Sequence, residues 1–188
     1  MTTRLRSVLS GRDLPVAELC SARLDGELFT LGDFWCPVDE LDAPDTRAQA
    51  AALLVPPRAI AERLTAAWIL GLAAEPRRHQ FCVDVGARVH LQPSARLILR
   101  EVTCPPTDTA SITGLRVTRP LRTVVDLARW PDPDVDVVPL IGALLRLCGP
   151  GGAEQALGRC DRAYVPFRSL ALGRLAAAEG CRQPSLTR

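Results

Sequence analysis

The sequence predicts an α+β fold, in which a small N-terminal module of helices and a hairpin precedes a mixed α/β domain that ends in a helical segment. Three observations predict it. Apolar residues recur at helical spacing near the N-terminus, alternate as in strands between residues 80 and 119, and return to helical spacing from residue 120 to about residue 180. A chain of 188 residues, 47% of them hydrophobic, is large enough to bury a substantial core.

The N-terminal module covers residues 1–38. A helix over residues 3–9 leads through a turn to a second helix, which begins at Pro15, a residue favoured in the first turn, and ends near Asp25. Two short strands then flank the turn signal Gly32-Asp33. Helix, turn, helix and hairpin is the order of a small winged helix, so we predict a reduced winged-helix-like module.

An acidic, proline-containing linker over residues 39–45 leads to the larger domain, residues 46–188. The domain begins with an alanine-rich helix over residues 46–54. Thr65 is the predicted N-cap of a short helix that Gly71 closes. Trp68, within that helix, is interpreted as a core anchor.

A sheet of three or four strands is predicted over about residues 80–119. Phe81, Val83 and Val85 alternate with polar residues, Val89 and Leu91 flank His90, and further alternation occurs over residues 97–102 and 115–118. An alternation of apolar and polar residues with a period of two is typical of strands, because successive side chains of a strand point to opposite faces of the sheet.

Helices are predicted over about residues 120–180. Apolar residues at 121, 124, 125 and 128 share one face of a helix over residues 120–129. Arg122 and Asp126 stand four residues apart on another face, which predicts an ion pair on the helix surface. Three further helices are predicted over residues 139–148, 153–164 and 167–179.

The composition excludes several classes of enzyme. All 23 basic residues are arginine, and the absence of lysine excludes P-loop phosphate sites and Schiff-base chemistry. Seven cysteines without a Cys-x-x-Cys pair predict neither a disulfide framework nor a zinc site. The sequence also lacks the Gly-x-Ser-x-Gly and His-x-x-x-His patterns. We therefore predict a binding protein rather than an enzyme, with no cofactor and no metal.

The charge is unevenly distributed along the chain. Residues 76–130 hold nine arginines against four acidic residues, a net charge of +5, whereas residues 1–38 have a net charge of −1. Phosphate neutralisation supplies much of the affinity of DNA-binding proteins, so composition slightly favours a protein-docking role over DNA binding for the acidic N-terminal module. No apolar run approaches the roughly 18 residues that cross a membrane, and the N-terminus lacks the apolar stretch of a secretory signal. We expect a cytoplasmic protein.

Several stretches of the sequence together resemble one known family, the AbiEi antitoxins of type IV toxin–antitoxin systems, in the form common in GC-rich actinobacteria. The likeness covers about residues 10–130, and the last stretch is the most specific. The stretches are residues 14–19 (LPVAEL), 24–28 (LDGEL), 34–37 (FWCP), 65–71 (TAAWILG) and 114–129 (GLRVTRPLRTVVDLAR).

The resemblance implies a cytoplasmic regulator with an N-terminal winged helix and a C-terminal antitoxin domain. Such a protein counteracts a nucleotidyltransferase-like toxin, directly or through the toxin's substrates, and represses its own operon by binding operator DNA. The candidates for contact with the partner are Arg88, Arg96, Arg100, Arg116, Arg119 and Arg122. The candidates for DNA binding, the alternative function, are Arg4, Arg6, Arg12, Ser21 and Arg23.

Overall fold

The computed structural model describes residues 6–86, 95–132, 135–162 and 166–180. These residues form seven α-helices and two β-sheets, with the helices concentrated toward the C-terminus, which confirms the predicted α+β class. The elements are α1 (Val16–Leu24), β1 (Leu28–Leu31), β2 (Phe34–Pro37), α2 (Pro44–Ala52), β3 (Ile60–Ala61), α3 (Arg63–Ile69), β4 (His79–Asp84), β5 (Leu97–Val102), β6 (Thr109–Ile112), β7 (Leu115–Thr118), α4 (Pro120–Arg129), α5 (Val138–Leu147), α6 (Gly152–Cys160) and α7 (Arg168–Gly180).

The N-terminal module is a helix beside a two-stranded hairpin. α1 covers the predicted second helix, and β1 pairs antiparallel with β2 around the predicted turn, where Gly32 has a φ of +62°. The first predicted helix is wrong over residues 6–9. Leu9 exchanges two backbone hydrogen bonds with Trp35. This segment therefore pairs antiparallel with the hairpin through an isolated bridge and does not form a helix. With one helix among residues 6–37, the helix-turn-helix-hairpin order of a winged helix is not confirmed.

The larger sheet has five strands in the order β5-β4-β3-β7-β6. β3 is antiparallel to β4 and parallel to β7, β4 and β5 are parallel, and β6 and β7 form a hairpin. Sequence analysis missed the central strand β3, because two residues are too few to show an alternation pattern. The predicted strand around His90 lies outside the described residues.

The two faces of this sheet carry different side chains. Ala61, Phe81 and Val117 are paired neighbours, and they define a face that we call the apolar face. The hairpin, α2 and α3 cover it, and Trp68 is 4% exposed there, which confirms its role as a core anchor. The opposite face, which we call the ionic face, carries Gln80, Cys82, Arg100, Arg116 and Thr118.

A second hydrophobic cluster lies among the C-terminal helices. α4 is at its centre and contacts α5, α6 and α7. The predicted helix over residues 120–129 is confirmed, and its buried Val124 and Ala128 pack with Ile141 and Leu175. The side chains of α4 that do not enter this cluster include Thr123 and Asp126, both of which are buried.

Several boundaries of the predicted helices differ in the structure; α6, for example, ends at Cys160, four residues before its predicted end. α2 begins at Pro44, two residues before the predicted start. α3 begins at Arg63 with Glu62 at its N-cap position, so the prediction that Thr65 caps this helix is wrong. The Thr65 hydroxyl instead accepts a hydrogen bond of 2.7 Å from the backbone N–H of Gln80.

The N-terminal module packs against the larger sheet. Val8, Leu31 and Cys36 belong to the same hydrophobic cluster as Phe81 and Trp68. The division into two domains at residues 39–45 stays a prediction. None of the helices in the four described ranges is both long enough and apolar enough to span a bilayer.

Candidate functional site

The residues predicted to contact DNA lie on the surface of the N-terminal module where they are described. Arg6, Arg12, Ser21 and Arg23 are exposed, and Arg4 lies outside the described residues. Acidic groups accompany them: Arg6 lies 3.5 Å from the Asp13 carboxylate, and the Ser21 hydroxyl donates to the Asp25 carboxylate at 3.5 Å. The surface around α1 therefore presents both signs of charge.

The arginines predicted to contact a protein partner divide into two groups. Arg96 and Arg119 are exposed and Arg116 is half-buried, whereas Arg88 lies outside the described residues. Arg116 donates to the backbone carbonyl of Arg58 at 2.6 Å, Arg119 donates to that of Thr109 at 3.0 Å, and Arg96 forms an ion pair with Asp33. Arg100 and Arg122 are largely enclosed, with 16% and 14% of their side chains exposed.

Arg100 binds a carboxylate that is fully buried. Its Nε and Nη2 donate to the two carboxylate oxygens of Glu62 at 2.7 and 2.6 Å, a bidentate pair between β5 and the end of β3. Arg63 adds a third donor to Glu62 through its Nε at 3.2 Å. The guanidinium carbon of Arg100 also lies 4.7 Å from the ring centroid of Trp130.

Arg122 joins two further carboxylates. Its Nε donates to Asp126 at 2.8 Å, and its Nη1 donates to Asp108 at 3.1 Å. Arg159, from α6, binds the other oxygen of Asp108 at 2.9 Å. The prediction of a surface pair between Arg122 and Asp126 is therefore wrong about location. The two residues do pair, but Asp126 is 2% exposed, because this side of α4 is covered.

We call these seven residues the ionic layer: Glu62, Arg63, Arg100, Asp108, Arg122, Asp126 and Arg159. Asp126 connects its two parts, since it interacts electrostatically with both Glu62 and Arg100. The layer contains four arginines and three carboxylates. Buried charges of both signs are stable only when they are paired and hydrogen-bonded, so the layer fixes the positions of the elements that carry it.

The pKa values of the layer reflect burial and pairing. Burial raises the pKa of Asp126, against the opposing effect of Arg122. Burial also opposes ionisation of Asp108, but the hydrogen bonds from Arg159 and Arg122 outweigh it and lower the pKa of that carboxyl. Burial lowers the pKa of Arg63; the nearby Arg100 adds to this effect, and Glu62 acts against it. Burial also opposes ionisation of Arg100 and Arg122, but their carboxylate partners Glu62 and Asp126 outweigh it and raise the pKa of these two guanidinium groups.

The local sequence explains how α4 presents its charges. Pro120 begins the helix, since its fixed φ suits the first turn and it has no N–H to leave unpaired. The Thr123 hydroxyl bonds to that of Thr118 at 2.8 Å and holds the first turn against β7. At the other end, Arg174 of α7 donates to the last carbonyls of the helix.

A groove of about 1110 Å³ opens beside the ionic layer. Its floor includes Arg63, Gln80 and Ile98, and its walls come from the chain after α3 and from the start of α5. Gln80 connects α3 with the chain that follows α4. The side-chain oxygen of Gln80 accepts a hydrogen bond from the backbone N–H of Leu64 at 3.0 Å, and its side-chain amide nitrogen donates one to Asp132 at 3.3 Å.

The acidic residues of the groove already accept hydrogen bonds. Glu75 bonds to the ring of His79, Asp132 accepts from Gln80, and Asp136 accepts from the backbone N–H of Val138. Arg77 and Arg78, by contrast, are exposed and form no ion pair with any described residue. The described lining of the groove therefore carries both signs of charge, with the three arginines Arg63, Arg77 and Arg78 and the three carboxylates Glu75, Asp132 and Asp136.

Metal binding and thiol chemistry depend on the His, Cys, Asp and Glu side chains of the described residues. No group of three His, Cys, Asp or Glu side chains among them could hold a metal ion. The six described cysteines form no disulfide, and burial raises the pKa of the Cys36 thiol to about 11, far from a reactive thiolate.

Only part of this site could be predicted from the sequence. Arg100 and Arg122 were among the predicted contact residues, whereas Glu62, Arg63, Asp108 and Arg159 were not. Glu62 and Arg63 follow a strand too short to recognise, and Asp108 lies in a 3-10 turn, Pro106–Asp108, between two prolines and a strand. The local pattern of these residues gave no signal for burial.

Comparison with known proteins connects this region to a described family. Residues 59–148, from β3 to the end of α5, match the family model described as the AbiEi antitoxin C-terminal domain. The crystal structure of the RV2827C protein from Mycobacterium tuberculosis is similar over 97% of this chain and 78% of that chain, at 16% identity and a TM-score of 0.41. No curated protein matches the chain.

Proposed function

We propose that this chain is the antitoxin of a type IV toxin–antitoxin system and counteracts a nucleotidyltransferase-like toxin in the cytoplasm by binding it, since residues 59–148 match the family model of the AbiEi antitoxin C-terminal domain. The domain match carries this proposal, since it supports an antitoxin role in a toxin–antitoxin system. The AbiEi family is not a family of enzymes, and the proposal assigns no catalytic activity to the chain.

The chemistry of the partner favours direct binding. A nucleotidyltransferase holds Mg²⁺ and nucleotide phosphates, and carboxylates are the protein ligands that Mg²⁺ uses. A surface rich in arginine complements such an acidic site, because guanidinium groups pair with carboxylates in a bidentate geometry. Arg96, Arg116 and Arg119, together with Arg88, remain the proposed contacts, whereas Arg100 and Arg122 hold the ionic layer in place.

Autoregulatory DNA binding through the N-terminal module is not part of the proposal. The exposed surface of α1 offers Ser21 and Arg23 beside Glu18 and Asp25. Phosphate contacts need an excess of positive charge, and residues 1–38 have a net charge of −1.

Direct binding is tested by purifying the chain together with a candidate nucleotidyltransferase-like toxin. We expect co-elution at micromolar concentration and a reduced rate of nucleotide transfer. The double variant Arg116→Glu/Arg119→Glu should weaken the complex at least about tenfold, by charge reversal at the interface, and Arg146→Glu, an exposed arginine on α5, should not. Separate elution with an unchanged transfer rate would contradict the proposal. Inhibition without co-elution would instead indicate an effect on the toxin's substrates.

A further inference from the structure

Two buried thiols contact each other at the ionic face of the sheet. Cys82, on β4, is fully buried, and Cys104, which follows the end of β5, is 3% exposed. Both lie in a small buried cluster with Ile60, and the two thiols form a hydrogen bond with each other. They come from separate parts of the sequence, so no short motif indicates the pair.

Hydrogen bonds on two sides hold Cys104 next to Cys82. The backbone N–H of Cys104 donates to the Asp84 carboxylate at 3.1 Å, and Asp84 lies on the same face of β4 as Cys82. The carbonyl of the preceding residue, Thr103, accepts a hydrogen bond from Nη1 of Arg122 at 3.2 Å. Cys104 is therefore anchored to both β4 and α4, with its thiol against that of Cys82.

The two thiols differ in acidity. The hydrogen bond from Cys82 lowers the pKa of the Cys104 thiol; burial opposes this effect, and the nearby Arg122 supports it. The same hydrogen bond, together with burial, raises the pKa of Cys82. Cys104 is therefore the sulfur that ionises first, with the S–H of Cys82 donating to it. A thiolate beside a thiol is the arrangement of a dithiol–disulfide pair, because the thiolate is the nucleophile.

We propose that Cys82 and Cys104 form a reversible disulfide when the protein is exposed to hydrogen peroxide, and that this bond holds the segment after β5 on β4. The Cys104 thiolate attacks one oxygen of the peroxide, becomes a sulfenic acid and releases hydroxide. The Cys82 thiol then attacks the Cys104 sulfur, and water leaves as the disulfide forms. The proton that Cys104 has lost neutralises the hydroxide, so two thiols and one hydrogen peroxide give one disulfide and two waters.

The size of the oxidant follows from the burial of the pair. Because Cys104 is 3% exposed, a small peroxide reaches its sulfur in the folded chain more readily than a bulky disulfide does. A thiol reductant reverses the reaction by thiol–disulfide exchange. Disulfides of this transient kind occur in reducing compartments, where permanent ones are rare.

The bond acts on the ionic layer, because the segment that it holds leads into the turn that carries Asp108. That carboxylate binds Arg122 of α4 and Arg159 of α6. A cross-link between β4 and this segment also restricts the unfolded chain, which stabilises the folded one when the bond forms without strain. Oxidation is therefore expected to hold the layer closed, and reduction to release it.

Peptide mapping of the full chain tests the bond directly. Trypsin, which cleaves after arginine, places Cys82 in the peptide 79–88 and Cys104 in the peptide 101–116, and each peptide contains a single cysteine. The folded chain is treated with equimolar hydrogen peroxide, its remaining thiols are alkylated, and the monomer band of a non-reducing gel is digested. We expect mass spectrometry to show the two peptides as one linked species, which dithiothreitol separates. Two fully alkylated peptides, or a linked species that forms only after unfolding in urea, would overturn the inference.

Matched cysteine variants identify the two partners. Cys104→Ser should abolish the linked species, and Cys82→Ser should leave Cys104 as a sulfenic acid that dimedone labels. Cys36→Ala removes a thiol that is equally buried but packs on the apolar face, and it should leave the linked species unchanged. If circular dichroism shows that a serine variant does not fold, the wild-type map decides. Cys82 linked to another cysteine, or loss of the linked species in a folded Cys36→Ala chain, would contradict the inference.

Thermal unfolding measures whether the bond fits the native geometry. The oxidised chain should unfold at least about 5 °C above the reduced chain, because the cross-link restricts the unfolded state. Cys104→Ser should show no such rise after the same peroxide treatment. An oxidised chain that unfolds at or below the temperature of the reduced chain would show that the fold must distort to form the bond, and it would overturn the inference that the bond holds the native segment in place.

Discussion

The apolar face and the ionic face of the five-stranded sheet are both covered, but different forces hold their coverings in place. On the apolar face, Phe81 and Val83 are fully buried among aliphatic side chains. On the ionic face, Glu62 and Arg100 are held by two short, directional hydrogen bonds. Hydrophobic burial is non-directional, whereas a bidentate ion pair fixes distance and angle. The comparison indicates that the apolar face supplies stability and the ionic face supplies position.

The largest expected effect is the loss of an aromatic ring from the apolar face. Phe81→Ala should lower the free energy of unfolding by about 4 kcal/mol, because it leaves a cavity in a fully packed region. Urea denaturation measures this change, and it should be the same at low and high salt. Phe81→Leu, the control, should cost less than about 2 kcal/mol. A marked salt dependence of the loss would show that the two faces are not energetically distinct.

A smaller loss is expected on the ionic face. Glu62→Gln should lower the free energy of unfolding by about 3 kcal/mol, because it leaves Arg100 and Arg63 enclosed without their carboxylate. The exposed Glu18→Gln is the matched control and should change the urea midpoint little. If Glu62→Gln unfolds at the wild-type midpoint, the ion pair does not hold the face together.

The pH dependence of the free energy of unfolding tests how much Asp108 contributes to the ionic face. Asp108→Asn should cost about 1–2 kcal/mol at neutral pH by weakening the bonds to Arg122 and Arg159. The pKa of Asp108 in the folded protein lies below its ordinary value of 3.8, so its contribution is fully present above that value and is lost as the pH falls through the lowered pKa. The gap between wild type and variant should be constant from about pH 7 to pH 5 and should narrow below about pH 4.

An exposed pair is the control for that titration. Asp161 pairs with Arg168, and both side chains are more than half exposed. Asp161→Asn should therefore change the free energy of unfolding by less than about 0.5 kcal/mol at any pH. A loss as large as that of Asp108→Asn would mean that burial is not what makes the ionic layer stabilising.

The parts of the fold that sequence analysis predicted correctly are those with a long, regular pattern. α4 has apolar residues at helical spacing over ten positions and begins with a proline, and the hairpin has a Gly-Asp turn between its strands. The segment at residues 6–9 was wrongly predicted as a helix, because its hydrogen-bond partner, Trp35, lies far along the chain. A segment of four residues is too short to show an alternation pattern, so its pairing with Trp35 could not be predicted.

The ionic layer was harder to predict than the fold. The spacing of Arg122 and Asp126 correctly indicated a pair, but an i,i+4 spacing is the same on a solvated surface and in an interior. Burial of the pair depends on Asp108 and on α6, which contributes Arg159, and these come from separate parts of the sequence. Charged residues are ordinarily expected at the surface, so the sequence predicted exposure for the residues of the ionic layer, which are buried or largely enclosed in the structure.

The contact between Trp130 and Arg100 gives the molecule its own optical reporter. Trp130 lies directly after α4, with Arg100 over its ring and Phe167 at 5.4 Å, whereas Trp35 and Trp68 lie in the hairpin and in α3, on the apolar side. In a chain with Trp35→Phe and Trp68→Phe, the emission of the remaining indole reports its contacts with Arg100 of the ionic layer and with Phe167. Loosening of α4 from the sheet thereby becomes visible in intrinsic fluorescence, separately from melting of the hydrophobic core.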